Sequence, residues 1–293
     1  MTDEFVINRI CIIGVGLIGG SLALALRNAG VCKEFIGCSR DTRHLDSAVQ
    51  LGVIDRYDTV PAAAVQEADL VVVAVPLGAM EAVFVAMQPG LKDGCVITDV
   101  GSAKVYVLDA ARAAFGALPN YFVPGHPIAG TEQSGVEASV PDLFVGHQVI
   151  LTPDEVTEKK ALNRVRSMWE ATGAKVTEMN PQHHDAILAA TSHLPHILAF
   201  SLVDSLSRLE DQHEVFQYAA GGFRDFTRIA ASDPEMWRDI CLANGTAVLD
   251  MIGRYGRDLE QVCRAIRAQD GDFLLHLFQR AHDARRRYDE DKG

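Results

Sequence analysis

A glycine-rich turn near the amino terminus constrains the fold more than any other feature of this sequence. Gly14, Gly16 and Gly19 follow an apolar, β-branched run at 9–13 and precede a helical pattern at 21–29. The first glycine permits a tight turn, the second lets backbone approach a pyrophosphate, and the third allows close packing of helix on strand. A helix that begins here also stabilises negative charge at its amino end. The sequence therefore predicts a dinucleotide-binding turn, with a ligand-free tight turn as the alternative.

Short β-branched runs alternate with helical patterns through the first 180 residues. Strands that are almost continuous in Val and Ile, separated by helices, predict a parallel sheet covered on both faces. The predicted strands are 9–13, 35–39, 70–75, 96–99, 121–124, 148–151 and 175–178. We therefore predict the α/β fold class, with an N-terminal doubly wound parallel sheet of the Rossmann type.

After Pro181 the strand signals stop and helical periodicity continues to the end of the chain. Helices are predicted at 183–208, with a kink at Pro195, and at 213–220, 223–231, 234–253, 257–268 and 271–288. The length of 293 residues fits two domains. We predict a dinucleotide-binding domain at 1–180 and an all-helical domain at 181–293.

Composition and charge exclude several classes of protein. Lys and Arg number 27 against 39 Asp and Glu, so the net charge of −12 repels nucleic acid. The six cysteines form no CxxC pair and indicate reduced thiols in a cytoplasmic protein. The apolar run at 10–26 is short for a bilayer and is interrupted by glycines, so neither a signal peptide nor membrane association is predicted.

The residues after the second predicted strand bear on the choice of nucleotide. An acidic residue about 20 positions after the glycine turn binds the ribose 2′-hydroxyl of NAD, whereas this sequence has Ser39 and Arg40. A hydroxyl and a guanidinium suit a 2′-phosphate, which favours NADP. Asp41 follows and keeps NAD possible, and Arg40 could instead stack on adenine with either cofactor.

Three segments follow predicted strands, where a doubly wound sheet binds its ligands, and two of them carry polar side chains. Ser102 and Lys104 come after the strand at 96–99, and His126 comes between glycine and proline after the strand at 121–124, in a predicted loop. A neutral imidazole can accept a hydroxyl proton while hydride leaves the same carbon. The predicted catalytic residues are therefore His126 and Ser102; the predicted cofactor-binding residues are Gly14, Gly16, Leu17, Ile18, Gly19, Ser39, Arg40, Val75, Pro76 and Ser102.

Metal binding is not predicted from the histidines. His183 is followed by His184, and His193 lies three residues before His196, but neither pair has a carboxylate at an obvious ligand spacing. Pro195 also interrupts the helical turn between the members of the second pair. No HExxH motif is present, so the prediction is no metal.

Several motifs together give a much sharper signal than the glycine turn alone. In chain order they are GVGLIGGS from Gly14, DVGSAK from Asp99, GHPIAG from Gly125 followed by Thr131 and Glu132, SHLPH from Ser192, GGFRDFTR from Gly221 and SDPEMW from Ser232. In these residues the chain resembles the prephenate/arogenate (cyclohexadienyl) dehydrogenases of tyrosine biosynthesis. The resemblance covers about residues 8–255 and leaves open whether prephenate or arogenate is preferred.

The resemblance implies oxidative decarboxylation of a cyclohexadienol, with hydride transfer to NAD(P). It implies that His126 deprotonates the ring hydroxyl with Ser102 as its partner, that His193 binds substrate, and that Arg228 binds a substrate carboxylate. Arg224 is expected to add a supporting positive charge. The resemblance also implies a homodimer formed by the helical domain, which agrees with apolar helices after residue 181.

Two other functions are compatible with the glycine turn. One is a different two-domain NAD(P)-dependent dehydrogenase, of the β-hydroxyacid or imine-reducing type, which should lack GHPIAG followed by SHLPH. The other is a regulator that senses NADP without chemistry, which should lack the combination of His126, Ser102, His193 and Arg228.

Overall fold

The structure is a computed structural model that describes residues 6–131 and 133–290. Within these residues, six strands form one sheet in the order β3-β2-β1-β4-β5-β6, and all neighbouring strands are parallel. They are β1 (Ile7–Ile13), β2 (Cys32–Cys38), β3 (Arg56–Asp58), β4 (Leu70–Val73), β5 (Val96–Asp99) and β6 (Phe122–Val123). This is the strand order of a doubly wound nucleotide-binding fold, so the predicted fold class is confirmed.

The centre of the sheet explains the continuous apolar runs in the sequence. All four residues of β4 are fully buried, because helices cover both faces of the strand. Its neighbours β1 and β5 pair with it in register, with Leu70 opposite Ile10 on one side and Val96 on the other. The helices of this region are α1 (Leu17–Asn28), α2 (Thr42–Gln50), α3 (Pro61–Ala64), α4 (Met80–Met87), α5 (Lys104–Phe115) and α6 (Lys159–Glu170).

A second sheet departs from the prediction. It contains β7 (Gly125–Pro127), β8 (Gln148–Leu151) and β9 (Lys175–Glu178), with β7 antiparallel to β8 and β8 parallel to β9. The loop predicted around His126 is therefore wrong, because His126 lies on β7 and pairs with Ile150. Pro124 lacks an N–H to continue the first sheet, so the chain turns there and pairs with β8.

The helices after residue 180 also differ in their boundaries. In the first part they are α7 (Pro181–Leu188), a π-helical turn (Ala189–His193), α8 (Leu194–Ser207), α9 (Gln212–Gln217), α10 (Gly221–Thr227), a 3₁₀ turn (Arg228–Ala231) and α11 (Pro234–Ala243). The kink predicted at Pro195 corresponds to the π-helical turn, which ends at His193. Proline has no N–H to donate to the preceding turn, so the regular helical hydrogen bonds are interrupted there.

Two compact units divide the chain between Gly245 and Thr246. Among the described residues, the second unit contains two helices, α12 (Gly245–Arg267) and α13 (Gly271–Glu290). The first residue of α12, Gly245, belongs to the first unit. The predicted helix at 234–253 is wrong, because α11 ends at Ala243 and α12 begins two residues later. Glu132, which belongs to one of the quoted motifs, lies outside the described residues.

Candidate active site

The glycine turn has the geometry that a bound diphosphate requires. Gly14 has φ +98°, and a Cβ there would lie 2.2 Å from the carbonyl oxygen of Ala74. A Cβ on Gly19 would lie 2.3 Å from the carbonyl oxygen of Gly14, whereas a Cβ on Gly16 would meet nothing within 4 Å. Gly16 is the N-cap of α1, and no side chain caps that end of the helix. The turn therefore leaves open space beside helix N–H groups that no side chain caps, which fits a phosphate.

A cavity of about 660 Å³ joins this turn to the carboxyl ends of several strands. Its wall includes predicted residues from the turn, from the segments after β4 and β5, from β7 and from the π-helical turn, namely Gly16, Leu17, Ile18, Gly19, Val75, Pro76, Ser102, His126 and His193. The start of α11, with Trp237, closes the wall. Ser39 and Arg40 line a separate open depression after β2, together with Asp41 and Thr42.

A chain of hydrogen bonds runs from His126 away from the cavity. His126 Nδ1 lies 2.9 Å from His184 Nε2, and His184 Nδ1 lies 2.7 Å from Asp185 Oδ1. The Asp185 carboxylate also accepts hydrogen bonds from the main-chain N–H groups of Lys104, at 2.7 Å, and Val105, at 3.0 Å. The Asp185 carboxylate therefore caps the amino end of α5 and at the same time orients the His184 ring.

A second chain of hydrogen bonds ends at His193. Asn244 Nδ2 lies 2.8 Å from the carbonyl oxygen of Asp185 and 3.2 Å from His193 Nδ1. His196 stacks on Trp237 with ring centroids 3.7 Å apart, and its Nδ1 bonds to the carbonyl oxygen of Ser192 at 2.9 Å. We call His126, His184, Asp185, His193 and Asn244 the histidine cluster, and all five are buried.

The strand that carries His126 is fixed by a buried ion pair. Lys104 Nζ lies 2.6 Å from Asp99 Oδ2 and donates to the carbonyl oxygen of Gly125 at 2.6 Å. Asp99 also accepts hydrogen bonds from the main-chain N–H groups of Gly101 and Gly125. Lys104 is fully buried, and its role is to connect the end of β5 to the start of β7.

Burial lowers the pKa of every imidazole in the cluster. The pKa of His126 falls well below its usual value, first because of burial and then because His184, Lys104 and His193 lie nearby. Burial lowers the pKa of His184 against the opposing effect of Asp185, and it lowers that of His193 to about 4. The three rings are therefore neutral near pH 7, and each has one N–H and one lone pair.

The two predicted arginines come just before the part of the helical region that lines the cavity. Arg224 is in α10, Arg228 begins the 3₁₀ turn, and both are exposed. Neither is among the described residues that line the cavity, whose wall on this side begins at Ala231. His126, Ser102 and His193 therefore share the cavity wall, and Arg228 lies three residues before Ala231, which belongs to the same wall.

Sequence reasoning missed three members of the histidine cluster. His184 and Asn244 each interact with residues more than 50 positions away, so no local pattern indicated them. Asp185 follows the His183 and His184 pair directly, but its carboxylate is used for α5 and His184 rather than for a metal. Among residues 6–131 and 133–290, no group of three His, Cys, Asp or Glu side chains is arranged to hold a metal.

The strand order, the glycine turn and the neutral imidazoles at the carboxyl edge of the sheet define a dinucleotide-dependent oxidoreductase. Models of the nucleotide-binding domain and the dimerization domain of prephenate dehydrogenase match residues 22–178 and 180–280, respectively. The chain belongs to the prephenate dehydrogenase family, which confirms the resemblance inferred from its motifs.

Individual relatives agree with this assignment. The chain is 41% identical to a cyclohexadienyl dehydrogenase of Zymomonas mobilis, with 96% of each chain covered. Its structure matches that of prephenate dehydrogenase from A. aeolicus in complex with hydroxyphenyl propionate and NAD+, with a TM-score of 0.90, 36% identity and coverage of 97% and 99%. It also matches an arogenate dehydrogenase from Synechocystis, with a TM-score of 0.80, 29% identity and coverage of 96% and 99%.

Proposed function

We propose that the protein catalyses oxidative decarboxylation of prephenate, arogenate or both in tyrosine biosynthesis. The observation that carries this proposal is a single cavity in which His126, Ser102 and His193 share a wall with the glycine turn. The ring carbon that bears the hydroxyl loses a hydride, the carboxylate leaves as carbon dioxide, and its bonding electrons complete the aromatic ring. Aromatisation makes this step strongly favourable, so the protein has to position the substrate and handle one proton.

His126 is proposed as the acceptor of the hydroxyl proton. Its imidazole is neutral because burial lowers its pKa, and it lies on the cavity wall with Ser102. Ser102 is proposed to hydrogen-bond the same substrate oxygen. The proton is needed again when the product phenol forms, so a nearby neutral base can both take it and return it.

Three further residues are proposed to bind the substrate. His193 lies in the cavity wall and is proposed to contact the substrate directly. Arg228 is proposed to bind a substrate carboxylate, because an acidic protein needs a local cation for a dianion and a guanidinium binds carboxylates with two hydrogen bonds. Arg224, one helical turn earlier, is proposed to add positive potential.

NAD(P) is the cofactor that fits the glycine turn, and when bound it supplies the hydride acceptor. NADP is proposed as the preferred form because Arg40 and Ser39 follow β2, whereas Asp41 is occupied elsewhere. The Asp41 carboxylate caps α2 by accepting from the Arg43 main-chain N–H at 2.9 Å. Hydrogen bonds from Arg43 also hold the pKa of Asp41 below its usual value. Arg40→Leu should lower kcat/KM with NADP more than with NAD, and an equal loss would contradict this preference.

The helical part of the chain is proposed to form a homodimer. The segment Pro181–Ser207 is apolar, and its most apolar stretch of 18 residues has a mean hydropathy of 1.6. Only 28% of that stretch is buried within one chain. By length and composition alone, this one helical segment of the described chain could cross a membrane. The match to a dimerization domain at 180–280 favours a second copy as its cover. Light scattering should give twice 31.8 kDa, and a monomer at micromolar concentration would contradict the proposal.

The deciding experiment compares prephenate and arogenate, each with NAD and with NADP. We expect turnover of at least one substrate, with formation of reduced nicotinamide, carbon dioxide and an aromatic product in equal amounts. Turnover only with β-hydroxyacids or by reduction of imines would favour the other dehydrogenase class. Nucleotide binding without turnover of any of these would favour a sensor.

A further inference from the structure

Two chains of hydrogen bonds meet at Asp185 and end at two different histidines of the cavity wall. We infer that they hold His126 and His193 as opposite neutral tautomers, with the proton on Nδ1 of His126 and on Nε2 of His193. Nε2 of His126 then presents a lone pair to the cavity, and Nε2 of His193 presents an N–H donor. The tautomers follow from these contacts between buried, neutral rings, and only their catalytic use rests on the proposed function.

The tautomer of His126 follows from what the Asp185 carboxylate already binds. Its two oxygens accept from the main-chain N–H groups of Lys104 and Val105, which can only donate, so the carboxylate is the acceptor for His184 as well. The proton of neutral His184 therefore lies on Nδ1, and its Nε2 has a lone pair. The contact of 2.9 Å with His126 then requires the proton on His126 Nδ1, which leaves His126 Nε2 as an acceptor.

The tautomer of His193 follows from the main-chain carbonyl of the same aspartate. A carbonyl oxygen can only accept, so the Asn244 atom 2.8 Å from it is the amide nitrogen, a donor. That same nitrogen lies 3.2 Å from His193 Nδ1, which must accept. The proton of neutral His193 therefore lies on Nε2. The pKa of about 4 keeps this ring neutral over the range in which the tautomer matters.

The pair of tautomers sets which substrate groups fit against each of the two histidines. A hydroxyl fits against His126, because its proton can pass to Nε2 while the electron pair of the carbon–hydrogen bond leaves as hydride. A carboxylate or carbonyl oxygen fits against His193, because that imidazole offers N–H. His184, Asp185 and Asn244 touch neither group, so they are positioning residues that act through the two histidines.

The first test examines the resting enzyme and needs no turnover. The protein is labelled with ¹⁵N-histidine, and long-range proton–nitrogen spectra identify which ring nitrogen carries hydrogen. The variants His126→Asn and His193→Gln assign the two signals. We expect the Nδ1–H form for His126 and the Nε2–H form for His193, and the same tautomer in both rings would overturn the inference. Opposite tautomers with no turnover of prephenate or arogenate would instead contradict only the proposed function.

The second test replaces the intermediate histidine with two matched side chains. The amide of His184→Gln can still donate to Asp185 and accept from His126, whereas His184→Leu can do neither. We expect kcat to fall roughly 100-fold in the leucine variant, the lower end of what a positioned base contributes, with KM changed little. The glutamine variant should recover most of this loss and keep the Nδ1–H signal of His126. Equal losses in both variants, or no loss in the leucine variant, would overturn the positioning role.

Asp185 itself is the less informative position to change. The amide of Asp185→Asn would place its NH₂ group against the N–H of either Lys104 or Val105, so the variant loses part of the start of α5. A fall in its activity would mix folding with tautomer selection. The His184 pair avoids this because the glutamine and leucine variants both leave the α5 contacts intact.

Discussion

The glycine turn and the histidine cluster both contribute residues to the wall of one cavity, but they are built in different ways. The turn acts through main-chain geometry within six consecutive residues, from Gly14 to Gly19. The cluster acts through side chains from β7, α7, the π-helical turn and the end of α11. A local backbone motif can be recognised from spacing alone, whereas a side-chain cluster exists only once distant segments have packed. A substitution in the histidine cluster should therefore impair catalysis without changing nucleotide binding, and a substitution in the glycine turn should do the converse.

His126→Asn should give the largest difference between the effect on catalysis and the effect on nucleotide binding. Loss of the proton acceptor should lower kcat by roughly 10²–10⁴-fold, while the dissociation constant of the nucleotide stays within twofold. Stopped-flow assays and fluorescence titration measure the two quantities. His147→Asn, at an exposed position, is the control and should change neither. A parallel loss of nucleotide affinity in His126→Asn would show that the two regions are not independent.

Arg228→Ala tests whether substrate binding extends beyond the cluster. Removal of a charge-assisted contact to a carboxylate should raise the KM of the substrate roughly 10–100-fold, with a smaller effect on kcat and none on the KM of the nucleotide. Arg208→Ala removes another exposed arginine and is the matched control. An unchanged substrate KM in Arg228→Ala would remove the carboxylate-binding role.

The stability of the protein should depend on pH through the cluster. The folded-state pKa of His193 is about 4, below its usual 6.5, so the unfolded chain takes up the proton first. The stabilisation is complete above about pH 6.5 and is lost as the pH falls toward 4; at pH 5 the loss is about 2 kcal/mol. Urea unfolding at pH 7 and pH 5 should show a smaller difference for His193→Gln than for the wild type. His213→Gln, at an exposed position, should behave like the wild type. The same change in the free energy of unfolding between pH 7 and pH 5 in all three proteins would contradict the assignment.

Gly16→Ala is the converse experiment in the nucleotide region. A Cβ at Gly16 meets no atom within 4 Å and occupies the space beside α1, so the fold should tolerate it while the nucleotide KM rises roughly tenfold. Gly14→Ala should instead lower the melting temperature, because its Cβ would lie 2.2 Å from a carbonyl oxygen. If Gly16→Ala bound nucleotide normally, the phosphate would have to lie elsewhere.

The sequence predicted the parts of the molecule that depend on local pattern. The central strand at 70–75 is apolar at every position because both faces of β4 are buried, and the glycine turn has the spacing that its tight backbone requires. His126 and Ser102 lie in the cavity wall and could be predicted there because they follow strand ends, where a doubly wound sheet places its ligands.

The missed features depend on contacts that local pattern does not contain. The separate sheet of β7, β8 and β9 arises because Pro124 ends the pairing with β5 and a strand from later in the chain is available. The helix predicted through 234–253 is interrupted at Asn244, whose side chain reaches residues 59 and 51 positions earlier. Helical periodicity gives no sign of such an interruption, because Val248 and Ile240 keep the apolar spacing on either side.

The ion pair between Asp99 and Lys104 has an evolutionary consequence. Each partner is fully buried, so a mutation that removes one leaves the other as an isolated charge, at a cost of about 3–5 kcal/mol. Joint replacement by neutral side chains of similar volume carries no such penalty. Positions 99 and 104 should therefore drift together among descendants of this chain, and a lineage that had lost only one of them would be expected to carry a misplaced His126.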